Sequence, residues 1–554
     1  MSGIFGILDT SELRHDLVAQ GDYLRDDTDA ELILRLYQIK GKSFIKQLNG
    51  AFLILIWDSH EQQVIITNDR FGLYPLFYAE YNSRFIFSPE MKGILADKTF
   101  SKTLDMVALA QYMRFQHLLG ERTFFENISL LPSASILIYD LQENSYTIKP
   151  YWTVADISYN PHITFEEAVE EAGSLLRKAV HNLSCDHYRP GVYLSGGLDS
   201  RILLGLVQCR PVTAITYGRY NCRDVYYARQ IAKAVGADLH WFNMEHGHWV
   251  NDYVDFFMEM TEGLHPWMHL HGINTLTGAR KLIDYNLTGW DGGTIMGHND
   301  SIEPLQVSAV DDNALTVRLF ELFNQSYTWP SITEAEENLL YTKSYHQKLQ
   351  GVAFDSFRDE LAKYLHLRPD VRGEHFYLWN HCGRMTQNHI AFKRSHIEVR
   401  FPFFDYDLFT FLFSLPAPVR GHRTLYRAVL QKETPRLAYI PYDHDEFLPT
   451  TKSWVRGTHS LMVKLKRRIN QHVKPIFADH HTLYADYENY LRYELRNWAE
   501  NILYDKCTIE RGIFNPAFVK TLMNRHLSGL EEWTIGKIAP IMTYEMMLRQ
   551  FYDE

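Results

Sequence analysis

Apolar and polar positions fall into short blocks along the first 155 residues. "AFLILIWDS" (51–59) and "QQVIITND" (62–69) are apolar runs split by a polar turn, the pattern of a hairpin of well-buried strands. "RFIFS" (84–88) adds a short strand, and "ASILIYDL" (134–141) with "SYTIKPYW" (145–152) reads as a second hairpin across Gln-Glu-Asn. "DTDAELILRLYQI" (27–39) interrupts them with the 3.6-residue spacing of an amphipathic helix. The pattern is that of an α+β layered unit.

The character changes near residue 160. "TFEEAVEEAGSLLRKAVHNL" opens on Thr164 and Glu167, a capping box ahead of a helical apolar stripe. Strand "GVYLS", helix "DSRILLGLVQ", strand "VTAITY", helix "DVYYARQIAKAVG" and strand "DLHWFNM" follow. Alternating strands and helices imply right-handed crossovers and a parallel sheet. Beyond about residue 300 the chain reads mostly helical, and 301–375 is rich in Tyr, Phe and Trp, as helical core or as the wall of a larger acceptor pocket. The domain boundary is placed at about residue 155, giving units 1–155 and 156–554.

Composition narrows the classes. The chain has 554 residues, 46% apolar and 14% aromatic, enough for more than one core. Its formal net charge of -11 argues against a nucleic-acid partner, because such binding relies on Lys and Arg neutralising phosphate. Five scattered cysteines without a CxxC pair suggest a reducing compartment. There is no signal-peptide pattern and no run near the roughly 20 apolar residues of a membrane span, so a cytoplasmic location is expected.

The most informative stretch is "LSGGLDS" (194–200), which ends an apolar strand and opens a helix. In an open parallel sheet, ligands sit at the carboxyl ends of strands. Glycines let backbone approach a ligand closely, and helix N-terminal amides attract anions. Ser195 and Ser200 supply hydroxyls. Asp199 would repel a phosphate unless it holds a bridging Mg²⁺. The turn therefore fits an oxyanion, most naturally phosphate with metal.

"LSGGLDS" resembles the pyrophosphate loop of the ATP pyrophosphatases. Together with "MSGIFGI", "DRFGLYPLFY" (69–78), "FSPEMKGIL" (87–95) and "SHIEVRFPFFD" (395–405), it makes the chain similar to the asparagine synthetase family, whose wider circle includes β-lactam synthetase and lasso-peptide cyclases. The resemblance implies an N-terminal Ntn-hydrolase-like sandwich of the class II glutamine amidotransferase type. It implies a C-terminal α/β domain of the adenine-nucleotide alpha hydrolase type, with a parallel sheet and a helical end. It also implies ATP and Mg²⁺ as cofactors, and activation of a carboxylate as acyl-AMP before an amine attacks. By the same resemblance, Ser195, Gly196, Gly197, Asp199 and Ser200 form the pyrophosphate cradle, and adenine lies against backbone near Leu194, Tyr217 and Gly218. "NLTGWDGGTIMG" echoes the second acidic element, with Gly289 at the nucleotide and Asp291 beside Asp199 at the metal, although its Asp comes early. Glu262 lines up with the acidic residue that helps accept the amine proton. Lys452 lines up with a lysine that stabilises the adenylation transition state. Arg400 is read as a fork for phosphate or carboxylate, or as a structural ion pair.

The chain departs from the family near its start. Glutamine-using members carry Cys after the initiator Met, and here that position is Ser2. No RHRGPD-like or NGEIYN-like segment follows, and Asn49-Gly50 aligns with an interior strand. Glutamine hydrolysis is therefore expected to be lost and the N-terminal unit degenerate. Ammonia or a substrate amine would then attack a small-molecule or peptide carboxylate. Asparagine formation and a specialised amidoligase or cyclase both stay open, as does a non-catalytic nucleotide-binding scaffold. A homodimer or peptide partner is also open. His265, His269 and His271 are read as pocket-lining rather than metal-ligating. The seven Lys and Arg between 452 and 474 form a solvated helix face or a basic docking helix.

Overall fold

The computed structural model describes residues 2–8, 10–19, 21–297, 302, 311–325, 329–443, 446–451, 455, 458, 461–462, 465 and 483–553; of the side chains of 2–8, 11, 12 and 325 nothing is said. The N-terminal strands are β1 (Ser2–Leu8), β2 (Gly50–Asp58), β3 (Gln63–Asn68), β4 (Phe77–Tyr81), β5 (Arg84–Ser88), β6 (Ser129–Leu130), β7 (Ser135–Asp140) and β8 (Ser145–Pro150). They build two antiparallel sheets, β1-β2-β3-β7-β8 and β5-β4-β6. Strand β2 shows why they layer. Phe52, Ile54 and Ile56 pack with Leu32, Ile33 and Leu36 of helix Asp29–Lys40 on one face. Leu53 joins Ile66, Leu76 and Leu137, with Tyr78 and Phe85 packed against them, on the other. That alternation is the period of two of an extended chain. Both expected hairpins are present, β2 with β3 and β7 with β8.

The second sheet is wholly parallel: β9 (Pro190–Tyr193), β10 (Thr213–Gly218), β11 (Asp238–Asn243), β12 (Tyr285–Leu287) and β13 (Glu398–Arg400), in the order β11-β10-β9-β12-β13. Helix Phe165–Ser184 leads into it, with the Thr164–Glu167 capping box formed in both directions. Helices Asp199–Leu206 and Arg223–Val235 make the expected crossovers. The chain steps outward from β9 through β10 to β11, then returns to the other side of β9 with β12. The sheet's switch point therefore lies between β9 and β12, where a crevice opens at the carboxyl ends of strands in such folds. The described part of 301–375 is helical, and Phe320, Phe323 and Phe357 pack on one another in the core.

One hydrophobic core runs from Phe71 to Phe551 and includes residues from both halves. Two of the segments that carry the family resemblance, 69–78 and 395–405, lie along this seam. Phe71 meets the rings of Trp379, Phe404, Tyr406 and Phe409. Tyr74 donates its hydroxyl to Glu398, and Arg394 donates to the Leu73 carbonyl. The Asn49 side chain donates to Asp405 and accepts the Tyr406 N–H. Among the described residues, no helix is long and apolar enough to cross a membrane.

Candidate nucleotide site at the sheet switch point

The Ser195–Ser200 turn leaves the carboxyl end of β9, beside the end of β12. Its amides are engaged by the chain's own oxygens. Gly196 N–H donates to Asp224 Oδ1 at 3.1 Å, Gly197 N–H to Ser195 Oγ at 3.1 Å, and Ser195 N–H to Ser200 Oγ at 3.1 Å. The Gly196 amide thus already holds a carboxylate oxygen, the class of group for which the turn is suited.

Two further residues fix the turn. Arg201, fully buried, donates to the carbonyls of Gly196, Leu437, Ile440 and Pro441, tying the turn to the segment that follows helix Pro435–Ala438. Burial lowers its pKa to about 10. Tyr426 donates its hydroxyl to Asp199 Oδ1 at 2.7 Å.

The turn after β12 closes on the same place. A Cβ at Gly289 would stand 2.8 Å from both the Asp199 Cβ and the Ser200 nitrogen. A Cβ at Gly293 would lie 3.8 Å from both Asp199 oxygens and 3.9 Å from the Arg423 guanidinium carbon. Asp291 has a left-handed backbone, with φ of 52°. Its Oδ2 is buried and has no hydrogen-bond partner. Burial pushes its pKa up to about 7; a hydrogen bond from Cys382 lowers it, and the Asp199 charge raises it. The two carboxylates thus interact electrostatically.

At the end of β10, Gly218 has φ of 141° and its carbonyl accepts the Trp241 indole N–H. A Cβ there would meet Cys222 Sγ at 2.9 Å and Tyr484 Cβ at 3.1 Å. The Tyr217 ring packs against Tyr484 and His271. Leu194 is buried and donates its N–H to the Ile215 carbonyl. His265, His269 and His271 pack on one another and on His389, and burial keeps all four neutral.

Two expected site residues point elsewhere. The Arg400 guanidinium lies over the Tyr285 ring at 3.6 Å, pairs with Asp186 at 2.6 Å and donates to the Leu183 carbonyl. Tyr285 sits two residues before the register partner of Arg400 on β12, so the side chain folds back along the sheet. The reading of Arg400 as a phosphate fork is corrected to a structural ion pair. Glu262 ends helix Trp249–Thr261 with φ of 53° and accepts the backbone N–H groups of Met91 and Lys92 across the seam. No hydrogen bond described joins it to the 195–200 turn. Lys452 and all seven basic residues of 452–474 lie outside the described residues.

Residues 5–152 match the family model of the glutamine amidotransferase domain, and residues 171–284 match that of asparagine synthase. The glutamine-hydrolysing asparagine synthetase 2 of Bacillus subtilis (strain 168) is 25% identical over 487 residues, 80% of this chain and 61% of that protein. Across these segments the chain is similar to the asparagine synthetase family. Asparagine synthetase 3 of the same organism is 23% identical over 82% of this chain and 77% of its own length. Amidase chry2 of Gibberella zeae is 27% identical over 41% of this chain and 36% of its own length. The chain thus spans about three fifths of the first of these relatives. Of the glycines in the β12 turn, Gly289 is the one whose missing side chain lets the turn approach Asp199 and Ser200 closely.

Sequence reasoning missed Asp224, Arg201, Arg423 and Tyr426. Asp224 had a usable signal, since it opens the helix after the next parallel strand, on the edge where ligands bind. Arg201 directly follows the motif in the helix it opens, while Arg423 and Tyr426 lie in a stretch with no motif of its own, and only the tertiary fold brings those two to the turn.

Proposed function

We propose that the protein is an ATP-dependent amide-forming ligase. Residues 156–554 would activate a carboxylate as acyl-AMP with release of pyrophosphate, and ammonia or a substrate amine would complete the amide. The observation that carries this reading is the convergence of the 195–200 turn, Asp199 and Asp291 at the sheet's switch point. Asp199 and the partnerless Asp291 Oδ2 suit a Mg²⁺ ion. Bound there, it would neutralise charge on the leaving pyrophosphate. Ser195 and Ser200 are assigned to the phosphates, which would have to displace Asp224 and the serine hydroxyls to reach the turn amides, and Arg423 adds positive charge beside Asp199. Adenine is assigned to the backbone edge near Leu194, Tyr217 and Gly218. Glu262 keeps the amine-proton role by family resemblance alone; burial pushes its pKa up to about 7, and to act as a base its carboxylate would have to release the Met91 and Lys92 amides. Lys452 keeps the transition-state role that the family resemblance gives it.

In this reading, residues 1–155 are a degenerate amidotransferase unit without glutamine hydrolysis. Helix Ser11–Ala19 follows β1 almost at once, where a glutamine-binding segment would be needed. The Asn49 amide is committed to Asp405 and Tyr406, so it is not held ready as an oxyanion donor.

The test is release of AMP and pyrophosphate from ATP and Mg²⁺ with aspartate plus ammonia, aspartate plus glutamine, or no acceptor. Asparagine formed with ammonia alone identifies an ammonia-dependent synthetase. Equal turnover with glutamine overturns the loss of the glutaminase. Silence with aspartate while ATP still binds moves the search to peptide and other amine-bearing acids. Asp199→Asn keeps an acceptor for Tyr426 and should abolish pyrophosphate release; unchanged turnover would sink the site.

A further inference from the structure

The sulfurs of Cys185 and Cys209 lie 3.5 Å apart, with the Cys209 thiol directed at Cys185, and the Nδ1 of His181 stands 3.2 Å from the Cys185 sulfur. Cys185 is exposed and Cys209 half-buried. Cys222 and Cys382 are buried, and Cys507 is exposed. Cys185 is the first residue past helix Phe165–Ser184, and Cys209 sits in the loop between helix Asp199–Leu206 and β10. The pair brackets β9, the glycine turn and the helix that begins at Asp199. Neither thiol has a part in the ligase chemistry proposed above.

We propose that Cys185 and Cys209 form a dithiol site that a small-molecule disulfide converts reversibly into an intramolecular disulfide. The more exposed Cys185 reacts first. Burial and the neighbouring Cys209 thiol raise its pKa, so the sulfur needs a proton acceptor, and His181 stands where one is required. The Cys185 thiolate attacks one sulfur of the small disulfide. A mixed disulfide forms, and the first small thiolate leaves and takes the proton from His181. Cys209 then loses its proton and attacks the Cys185 sulfur. The mixed bond breaks, the protein disulfide forms, and the second small thiolate leaves as thiol. The protein loses two hydrogens, and one small disulfide becomes two thiols. Closure makes a ring from residue 185 to residue 209 that contains the entire strand-turn-helix element.

The test incubates the full chain with oxidised glutathione, quenches in acid, alkylates the remaining thiols and maps the peptides by mass spectrometry. The expected result is loss of two thiols, a peptide joining 185 to 209, and full reversal by dithiothreitol. Cys209→Ser should trap glutathione on Cys185. His181→Gln should slow the first step several-fold and leave its end point unchanged. A persistent glutathione adduct on wild-type Cys185, a crosslink that runs through Cys507, or protection of both thiols that a chelator removes would each overturn the proposal. An unchanged rate in His181→Gln would overturn the role of that imidazole.

Discussion

The carboxylate of Glu262 closes the start of the short helix at Met91, accepting the Met91 N–H at 2.9 Å and, on its other oxygen, the N–H of Lys92. Helix-start amides lack intrahelical partners, and a buried carboxylate satisfies two of them across 171 residues of sequence. Burial raises the Glu262 pKa from 4.5 to about 7, and that of Asp69, also on the seam, from 3.8 to about 6. Both are raised in the folded state, so their protonated forms favour folding. The stabilisation is complete below about pH 4 and is lost as pH rises towards 7. For Glu262 alone this is about 3 kcal/mol. Glu262→Gln should flatten the dependence of melting temperature on pH between 4 and 7, measured by calorimetry. It should also lower kcat about 100-fold if the carboxylate takes the amine proton; an unchanged kcat would leave Glu262 as a seam residue alone.

Arg400 gives the opposite expectation. Arg400→Ala removes an ion pair to a partly exposed Asp186 and a cation–π contact, a loss of about 2 kcal/mol in stability. The KM for ATP should not change. A large rise in KM with unaltered stability would return Arg400 to the nucleotide.

Gly289→Ala tests the meeting of the two turns. The added methyl would conflict with the Asp199 Cβ and the Ser200 backbone, neither of which is a flexible side-chain end. We expect kcat/KM for ATP to fall about 100-fold, or roughly 2.7 kcal/mol of transition-state stabilisation. Overpacking should cost about 1–3 kcal/mol of stability. Normal ATP turnover would place the nucleotide elsewhere.

Phe71→Ala tests the seam. The ring is buried among aromatics contributed by the C-terminal half. Its removal should cost about 3–5 kcal/mol, and denaturation should still follow one transition seen alike by fluorescence and circular dichroism. Two separate transitions would show that the halves unfold independently.

The hairpins, helix Asp29–Lys40 and the β9–β11 crossovers were legible because each is long enough to show its period. The three-residue strands β12 and β13 were not, since three residues carry no periodicity. The glycine turn was legible because its residue types are tied to its chemistry. For Arg400 the sequence left a phosphate fork and a structural ion pair both open, because an arginine beside a resembling motif looks the same whether its partner is a phosphate or Asp186. Glu262 was placed at the reaction by resemblance, while its capping of Met91 depends on a helix that contacts it only after the chain has folded.

The seam also bears on how this chain can change over time. An N-terminal unit relieved of chemistry would usually be free to drift or to be deleted. Here Phe71, Tyr74 and Asn49 are parts of the wall against which the C-terminal half is built. Under the proposed loss of glutamine hydrolysis, the first 155 residues would be retained as a scaffold. Substitutions should accumulate on their outer surface and be rejected along the inner one.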